Sequence, residues 1–336
     1  MSRRLAPAVE LGGPVLLLVA AGVLAAVVSR STQIYVLDAI VAAAMVVAIY
    51  VFVGNSGVLS FGQISFVAVG AFAAGVMTVP LTLKGVILRD LFPVLRDHEL
   101  GNLESLALAA AVGAALALVV GLPLMRLSGL AAGIATFAVL EITNNLLREW
   151  TRIGPGATTL SLVPRTTGPL QATLGALLVV VVAYLYGRSR PGRLLRATRE
   201  DPAAAQAVGV GIHRQRLWAF VLSGALCGFA GGLYVHMLGS ISTGQVYLEL
   251  TFLTLAMLVV GGMTSLWGAV VGALSVSALN SFLAEAERGV DVGVALTLPN
   301  GSRLVLLGAL MALVLVLRPS GLTGGRELSL RRVGLP

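Results

Sequence analysis

The sequence predicts an all-α, polytopic membrane protein with 8 to 10 transmembrane helices and one broken or re-entrant segment. Of its 336 residues, 57% are hydrophobic and 11% charged, against roughly 45–50% and 25% in ordinary soluble domains. Apolar runs near the roughly 17–25 residues that a membrane helix needs follow one another along the whole chain. A third observation supplies the break: within one apolar stretch, glycine and small polar residues crowd together at 54–63. The chain reads as a single transmembrane domain over 1–336 that carries a basic loop at 188–216.

The runs fall at about 12–28, 35–53, 64–80, 105–122, 127–147, 170–187, 217–238, 248–262, 266–284 and 302–317. MSRR and the apolar run behind it resemble a signal peptide, but no convincing small-x-small cleavage site follows, so the run is read as a retained first span. The ten-span count uses every run, and 248–284 also reads as one broken span plus a re-entrant piece.

Lys and Arg set the orientation. A ten-span chain places fourteen on one side (Arg3, Arg4, Arg126, Arg188, Arg190, Arg193, Arg196, Arg199, Arg214, Arg216, Arg318, Arg326, Arg331, Arg332) and nine on the other. The richer side is the cytoplasm, which makes both termini and the 188–216 loop cytosolic. The net charge of +8 therefore orients the chain in a bilayer, and no nucleic-acid partner is expected, because the interleaved aromatic and basic pattern is absent. Cys227 is the only cysteine and reads as a packing residue. His98, His213 and His236 have no paired spacing, and no metal is expected.

In the break, Gly54, Asn55, Ser56, Gly57, Ser60, Gly62 and Gln63 favour an unwound backbone, which a membrane tolerates only where protein buries it or water lines it. Two readings stand side by side. Gly54, Asn55, Gly57, Ser60, Gly62 and Gln63 line a substrate pathway, or they make a tight cytosolic turn. In the fifth run, Thr136, Glu141 and Asn145 are candidate pathway residues. An ionised Glu141 deep in lipid needs partners, and Asn145 and Arg148 share its helix face, so a structural Glu141–Arg148 pair is the competing reading. Small residues four apart, Gly129 and Gly133, then Gly224, Gly228 and Gly232, then Gly268 and Gly272, suit close helix packing in lipid.

No G-x-x-x-x-G-K-[ST] occurs, so no P-loop cradles ATP here. G-x-S-x-G and H-E-x-x-H are also absent, and the chain is not read as an enzyme. Any energy source is an ion gradient or another protein.

At this point the residues resemble the permease subunits of branched-chain amino acid ABC importers, over roughly 35–320. The carriers are GNSGVLSFGQISFVAVGAF at 54–72, SGLAAGIATFAVLEI at 128–142, RATREDPAAAQAVGVGIHRQRLWAFVLSGALCGFAGGLY at 196–234 and LAMLVVGGMTSLWGAVVGA at 255–273. The resemblance implies that 188–216 is a loop coupled to an ATPase. Ala204, Ala205 and Gly209 match the family's two alanines with a glycine four residues on, with Arg199 and Glu200 beside them. The glutamate expected just before the alanines is replaced by Ala203, and Glu200 stands displaced. Gln63 replaces the family's usual histidine, and Ala131 and Ala132 replace bulky aromatics.

What the resemblance implies is a membrane subunit that forms the path with a second, similar permease. Two ATP-binding-cassette ATPases bind its cytosolic loops, an extracytoplasmic solute-binding protein delivers an aliphatic amino acid, and ATP is used by the partners, with no cofactor bound by this chain. The lost bulky residues keep urea, short amides and aromatic acids open as substrates of a related permease. An ion-coupled secondary transporter is the reading from another class, weakened by the scarcity of carboxylates in the spans beyond Glu141 and Asp38.

Overall fold

A chain this apolar must close its backbone hydrogen bonds internally, and in the computed structural model it does so almost entirely as helices. The structure describes residues 2–88, 90–288, 290–291, 295–296, 299, 301–318, 320–325 and 327. Arg89, Arg326, Arg331 and Arg332, used in the charge count, lie outside the described residues.

The order is α1 (Ser2–Val27), α2 (Arg30–Ser56), α3 (Gln63–Thr78), the short α4 (Leu81–Ile87) and α5 (Pro93–Arg96), α6 (Asn102–Leu124), α7 (Gly129–Glu149) and α8 (Pro169–Arg188). Two short helices follow, α9 (Arg190–Glu200) and α10 (Pro202–Ala207), then α11 (Ile212–Leu238), a 3-10 turn at Thr243–Val246, α12 (Leu248–Gly261) and α13 (Leu266–Arg288). Two-residue strands β1 (Val290–Asp291) and β2 (Ala295–Leu296) pair antiparallel before α14 (Ser302–Leu317). Among the described residues, eight helices are long and apolar enough to cross a membrane, and two shorter apolar helices, Gln63–Thr78 and Ser302–Val314, complete the set of ten runs. The 248–284 stretch is two helices joined by a turn at 262–265, not one broken span.

Helix α2 is apolar on every side and is accordingly buried: Val41, Ala43, Ala44, Val46, Val47, Ala48, Val51 and Phe52 have no exposed surface. Around it pack α1, α8, α11, α12 and α13, while α11 is gripped between α3 and α6. Phe220 of α11 meets Phe52 of α2 and Phe66 of α3 edge to face at 5.0 and 5.2 Å, a geometry worth about 0.5–1.5 kcal/mol beyond area burial.

Glycine sets how close α11 comes. A Cβ on Gly228 would lie 2.2 Å from Ala109 O of α6, and one on Gly224 2.4 Å from the Ala117 side chain. Gly232 faces Leu106 and Ala109, and across α12 and α13 a Cβ on Gly272 would lie 2.1 Å from Met257 O and one on Gly268 2.7 Å from Gly261 O. Gly129 and Gly133 differ from the packing expected of them. Nothing lies within 4 Å of a Cβ on Gly129, and only Phe61 and Leu59 O touch that limit at Gly133. Gly129 instead starts α7 with φ +58°, a conformation glycine adopts freely.

Turn contacts sort the helix ends into two groups. At one end His213 lies 2.9 Å from Met125 O through Nδ1, and Arg199 donates to Gly54 O at 2.7 Å. At the opposite, distal end Phe92 N donates to Arg152 O at 3.1 Å, Leu160 bridges Ile241, and Arg165 Nε donates to Leu238 O at 3.0 Å. There Lys84 is fully buried and donates to Leu95 O and His98 O, and burial pulls its ammonium below the ordinary lysine range against the pull of Glu99.

Candidate translocation path and coupling elements

The break forms where α2 can no longer continue. Gly57 caps it with φ 71°, residues 57–62 are not helical, and α3 restarts at Gln63. At 16 residues, α3 rises only about 24 Å, short of a hydrocarbon core of about 30 Å. Phe61 N donates to Thr136 Oγ1 at 3.1 Å, and Thr136 stands seven residues into α7, about 10 Å from its start. Gly62 permits that approach, since a Cβ there would meet Thr136 O at 2.6 Å. Gly57 and Leu59 are exposed, whereas Asn55, Ser56, Ser60 and Gln63 are buried.

Gly54, Asn55 and Ser56, expected to unwind, remain helical in α2, and Gln63 in α3; the polar groups in and beside the break are incompletely paired. Asn55 Nδ2 donates to Val51 O at 3.0 Å, and the Ser223 hydroxyl lies 2.7 Å from Ala48 O and 3.2 Å from Gln63 Oε1. Asn55 Oδ1, Ser60 Oγ, Gln63 Nε2 and Ser65 Oγ are buried without a hydrogen-bond partner among the described residues. Such groups are uncommon in folded proteins, and four within eleven residues mark this segment chemically.

Helix α7 leans on α3 and turns a face outward that carries Ile134, Phe137, Ala138, Ile142, Asn145 and Leu146. Glu141, half-buried beside that face, accepts hydrogen bonds from Tyr247 Oη and from Asn145 Nδ2, the latter at 2.8 Å. The Glu141–Arg148 pair of the competing reading does not form among the described contacts. Seven residues along a helix amount to about 10 Å of rise, and nearer partners take the carboxylate. Closer to the break, Phe61 meets Phe137 and Phe252 edge to face, each pair at 6.4 Å. A line of contacts thus runs between α7 and α12, from a carboxylate–phenol pair, past three aromatic rings, to the unpaired polar groups in and beside the break.

The 188–216 loop is ordered as two helices against that same end. Asp201 caps α10, its carboxylate accepting from Ala203 N at 2.9 Å and Ala204 N at 3.0 Å, with Pro202 in the first helical position, where its missing N–H is not needed. Ala204 is exposed and Ala205 buried. Gly209 turns with φ +84° and has open space where a side chain would stand. Arg199, near the end of α9, binds Glu200 Oε1 through Nη2 at 2.6 Å and donates from Nη1 to Gly54 O at 2.7 Å, while its stem covers Gly57. Gly54 in turn lies against Met263 O of the α12–α13 turn, and the segment after α14 holds that turn. Thr323 Oγ1 donates to Gly261 O at 2.8 Å, and Glu327 accepts from Leu266 N at 2.6 Å and Trp267 N at 3.2 Å. Burial pushes the Glu327 carboxyl above its usual range against the opposing pull of those amides.

The family described as branched-chain amino acid transport system / permease component matches residues 31–315. The chain belongs to this family. It is 27% identical over 306 residues to the high-affinity branched-chain amino acid transport system permease protein LivM of Salmonella typhimurium, covering 81% of this chain and 65% of that one. To the probable branched-chain amino acid transport permease protein LivM of Methanocaldococcus jannaschii it is 26% identical, covering 80% and 86%. A shorter likeness, 32% over 105 residues and 30% of this chain, joins it to the fructose import permease protein FrcC of Rhizobium meliloti. The chain spans 65% of the length of the LivM proteins of Salmonella typhimurium and Escherichia coli. No solved structure matches it.

Within this permease fold, the predicted residues Gly62 and Thr136 meet, as do Gly54, Gly57 and Arg199. Glu141 and Asn145 form a separate group nearer the distal end. Sequence reasoning missed Phe61, Phe137, Tyr247, Phe252 and Asp201. The cap was legible in Asp-Pro ahead of an alanine run, whereas Tyr247 comes from 106 residues beyond Glu141 and left no local signal.

Proposed function

We propose that this chain is the membrane subunit of an ATP-binding-cassette importer for aliphatic, branched-chain amino acids. The observation that carries the reading is the Arg199–Gly54 contact of 2.7 Å, which ties the loop read as ATPase-binding to the last turn of α2, next to the non-helical segment read as pathway. The helix α10 and its capping Asp201 present Ala204 and the side-chain-free Gly209 outward, a surface suited to a close helix-in-groove contact. The arginine bias supports a cytosolic position for both termini and for α9 and α10.

The path runs between α7, α3 and α12, and the exposed α7 face is completed by a second, similar permease. Two ATPases hydrolyse ATP on the cytosolic side, and a solute-binding protein delivers substrate at the distal side. When the ATPases draw α10, Arg199 pulls the end of α2, the 57–62 backbone shifts, and the unpaired groups of Ser60 within it and of Asn55, Gln63 and Ser65 beside it take new partners. Gly57 at positive φ is the hinge. Such gating by loops and broken helices is how many transporters alternate access.

Uptake of leucine into cells expressing the complete transporter tests this. It persists when ionophores collapse ion gradients and stops when ATP is depleted. The reverse pattern overturns the ABC reading in favour of ion coupling.

A further inference from the structure

A second polar space lies on the other side of α12 from Phe252. It is a cavity of about 230 Å³ between α2, α11, α12, α13 and α14, toward the distal end. Its α12 wall is 249, 250, 253, 254 and 257, the spacing of one helix face, so the helix separates this cavity from the line of α7–α12 contacts above. The volume is far beyond the roughly 10–15 Å³ that one water needs and below the roughly 300–1,000 Å³ of pockets for drug-sized ligands. A small solute fits the space.

The wall is mixed, with Tyr234, Gln245, Glu249, Thr254 and Asn280 lining it beside two charged groups of opposite sign and an apolar side. Asp38 of α2 presents a carboxylate that makes no hydrogen bond or salt bridge among the described residues. Arg303 of α14 presents a guanidinium held at 2.6 Å by Glu249 through Nη2, with its remaining donors unused by described side chains. Ala42, Met45, Leu253 and Met257 supply an apolar wall. Carboxylates within membrane spans face the bundle interior or a wet cavity and take partners there, and Asp38 lines this one. An anion, a cation with spare donors and an aliphatic surface around one small space are what an aliphatic amino acid in its zwitterionic form requires.

We propose that this cavity is a binding site for a zwitterionic aliphatic amino acid, distinct from the path between α7 and α12. Asp38 takes the ammonium group, the free donors of Arg303 take the carboxylate, and Met45, Leu253 and Met257 cover the side chain. Charge-assisted bonds of this kind are the strong ones. The choice of an amino acid as occupant rests on the transport reading above; the cavity and its charges do not.

The test uses the full-length chain in nanodiscs with Asn280→Cys at the cavity wall and Cys227→Ala to remove the native thiol. A water-soluble maleimide labels the introduced cysteine, and saturating leucine slows the labelling. Isoamylamine, which lacks the carboxylate, and 4-methylpentanoate, which lacks the ammonium, protect far less. Asp38→Asn weakens leucine protection about tenfold or more, the loss expected for one charged hydrogen bond, and Asp38→Glu restores part of it. A melting profile like that of the parent shows that each variant is folded. Three results overturn the site: no labelling at all, equal rates with and without leucine, or isoamylamine protecting as well as leucine. Any of these beside intact ATP-dependent leucine uptake sinks the site and spares the transport reading, while absent uptake beside leucine protection does the reverse.

Discussion

Ser60 carries a hydroxyl that is 1% exposed and has no hydrogen-bond partner among the described residues. In a purely structural segment such a group is a liability of about 1–3 kcal/mol, so Ser60→Ala leaves thermal stability unchanged or raises it by about 1 kcal/mol. On the pathway reading the same variant lowers leucine uptake, because the hydroxyl serves a state in which it is paired. Melting curves and uptake on one preparation check both, and wild-type uptake would return Ser60 to a turn. The break was legible in Gly57, Ser60 and Gly62, which lie in the non-helical 57–62, but Gly54, Asn55 and Ser56, also read as unwound, finish α2, and Gln63 opens α3. Which groups stay unpaired was not legible, since that depends on Thr136 and Ser223, 75 and 160 residues away from their contacts in the segment. Glu141 teaches the same limit: its helix face was readable from spacing, but Tyr247, 106 residues on, decides its partner.

At the scale of elements, three sets of glycines looked alike in the sequence, and the structure separates them. Gly228 sits against the backbone of α6, where an added Cβ would lie 2.2 Å from Ala109 O. Gly228→Ala therefore forces α11 from α6 and costs about 1–3 kcal/mol, as overpacking does. Gly133→Ala has room and gains up to about 1 kcal/mol from helix propensity. Thermal melting of the two variants in one detergent measures the difference, and equal melting points would contradict the packing described for α11. Periodicity cannot make this distinction, because it reports which residues share a face and not what stands opposite. The helices themselves were legible nearly one for one, since each apolar run is long enough to demand one. The turn at 262–265 was the exception: its glycines read equally well as a re-entrant break, and it is fixed by contacts from Thr323 and Glu327, some 60 residues on.

For the whole molecule, the chain of contacts from α10 through Arg199 to Gly54 and on to the α12–α13 turn joins the two regions that the sequence marked separately. The sequence offered Arg199 only as a neighbour of the Ala204–Gly209 pattern; its reach to α2 is a property of the fold. The most direct measurement of this claim is leucine taken up per ATP hydrolysed by the reconstituted transporter, with Arg199→Ala compared with the parent. Arg199→Ala removes the bond to Gly54 O and leaves α10, Asp201 and Gly209 untouched, so the ATPases still assemble and hydrolyse ATP while uptake per ATP falls about tenfold or more, as loss of one charged hydrogen bond predicts. An unchanged ratio of uptake to hydrolysis in a correctly assembled Arg199→Ala transporter would contradict the account.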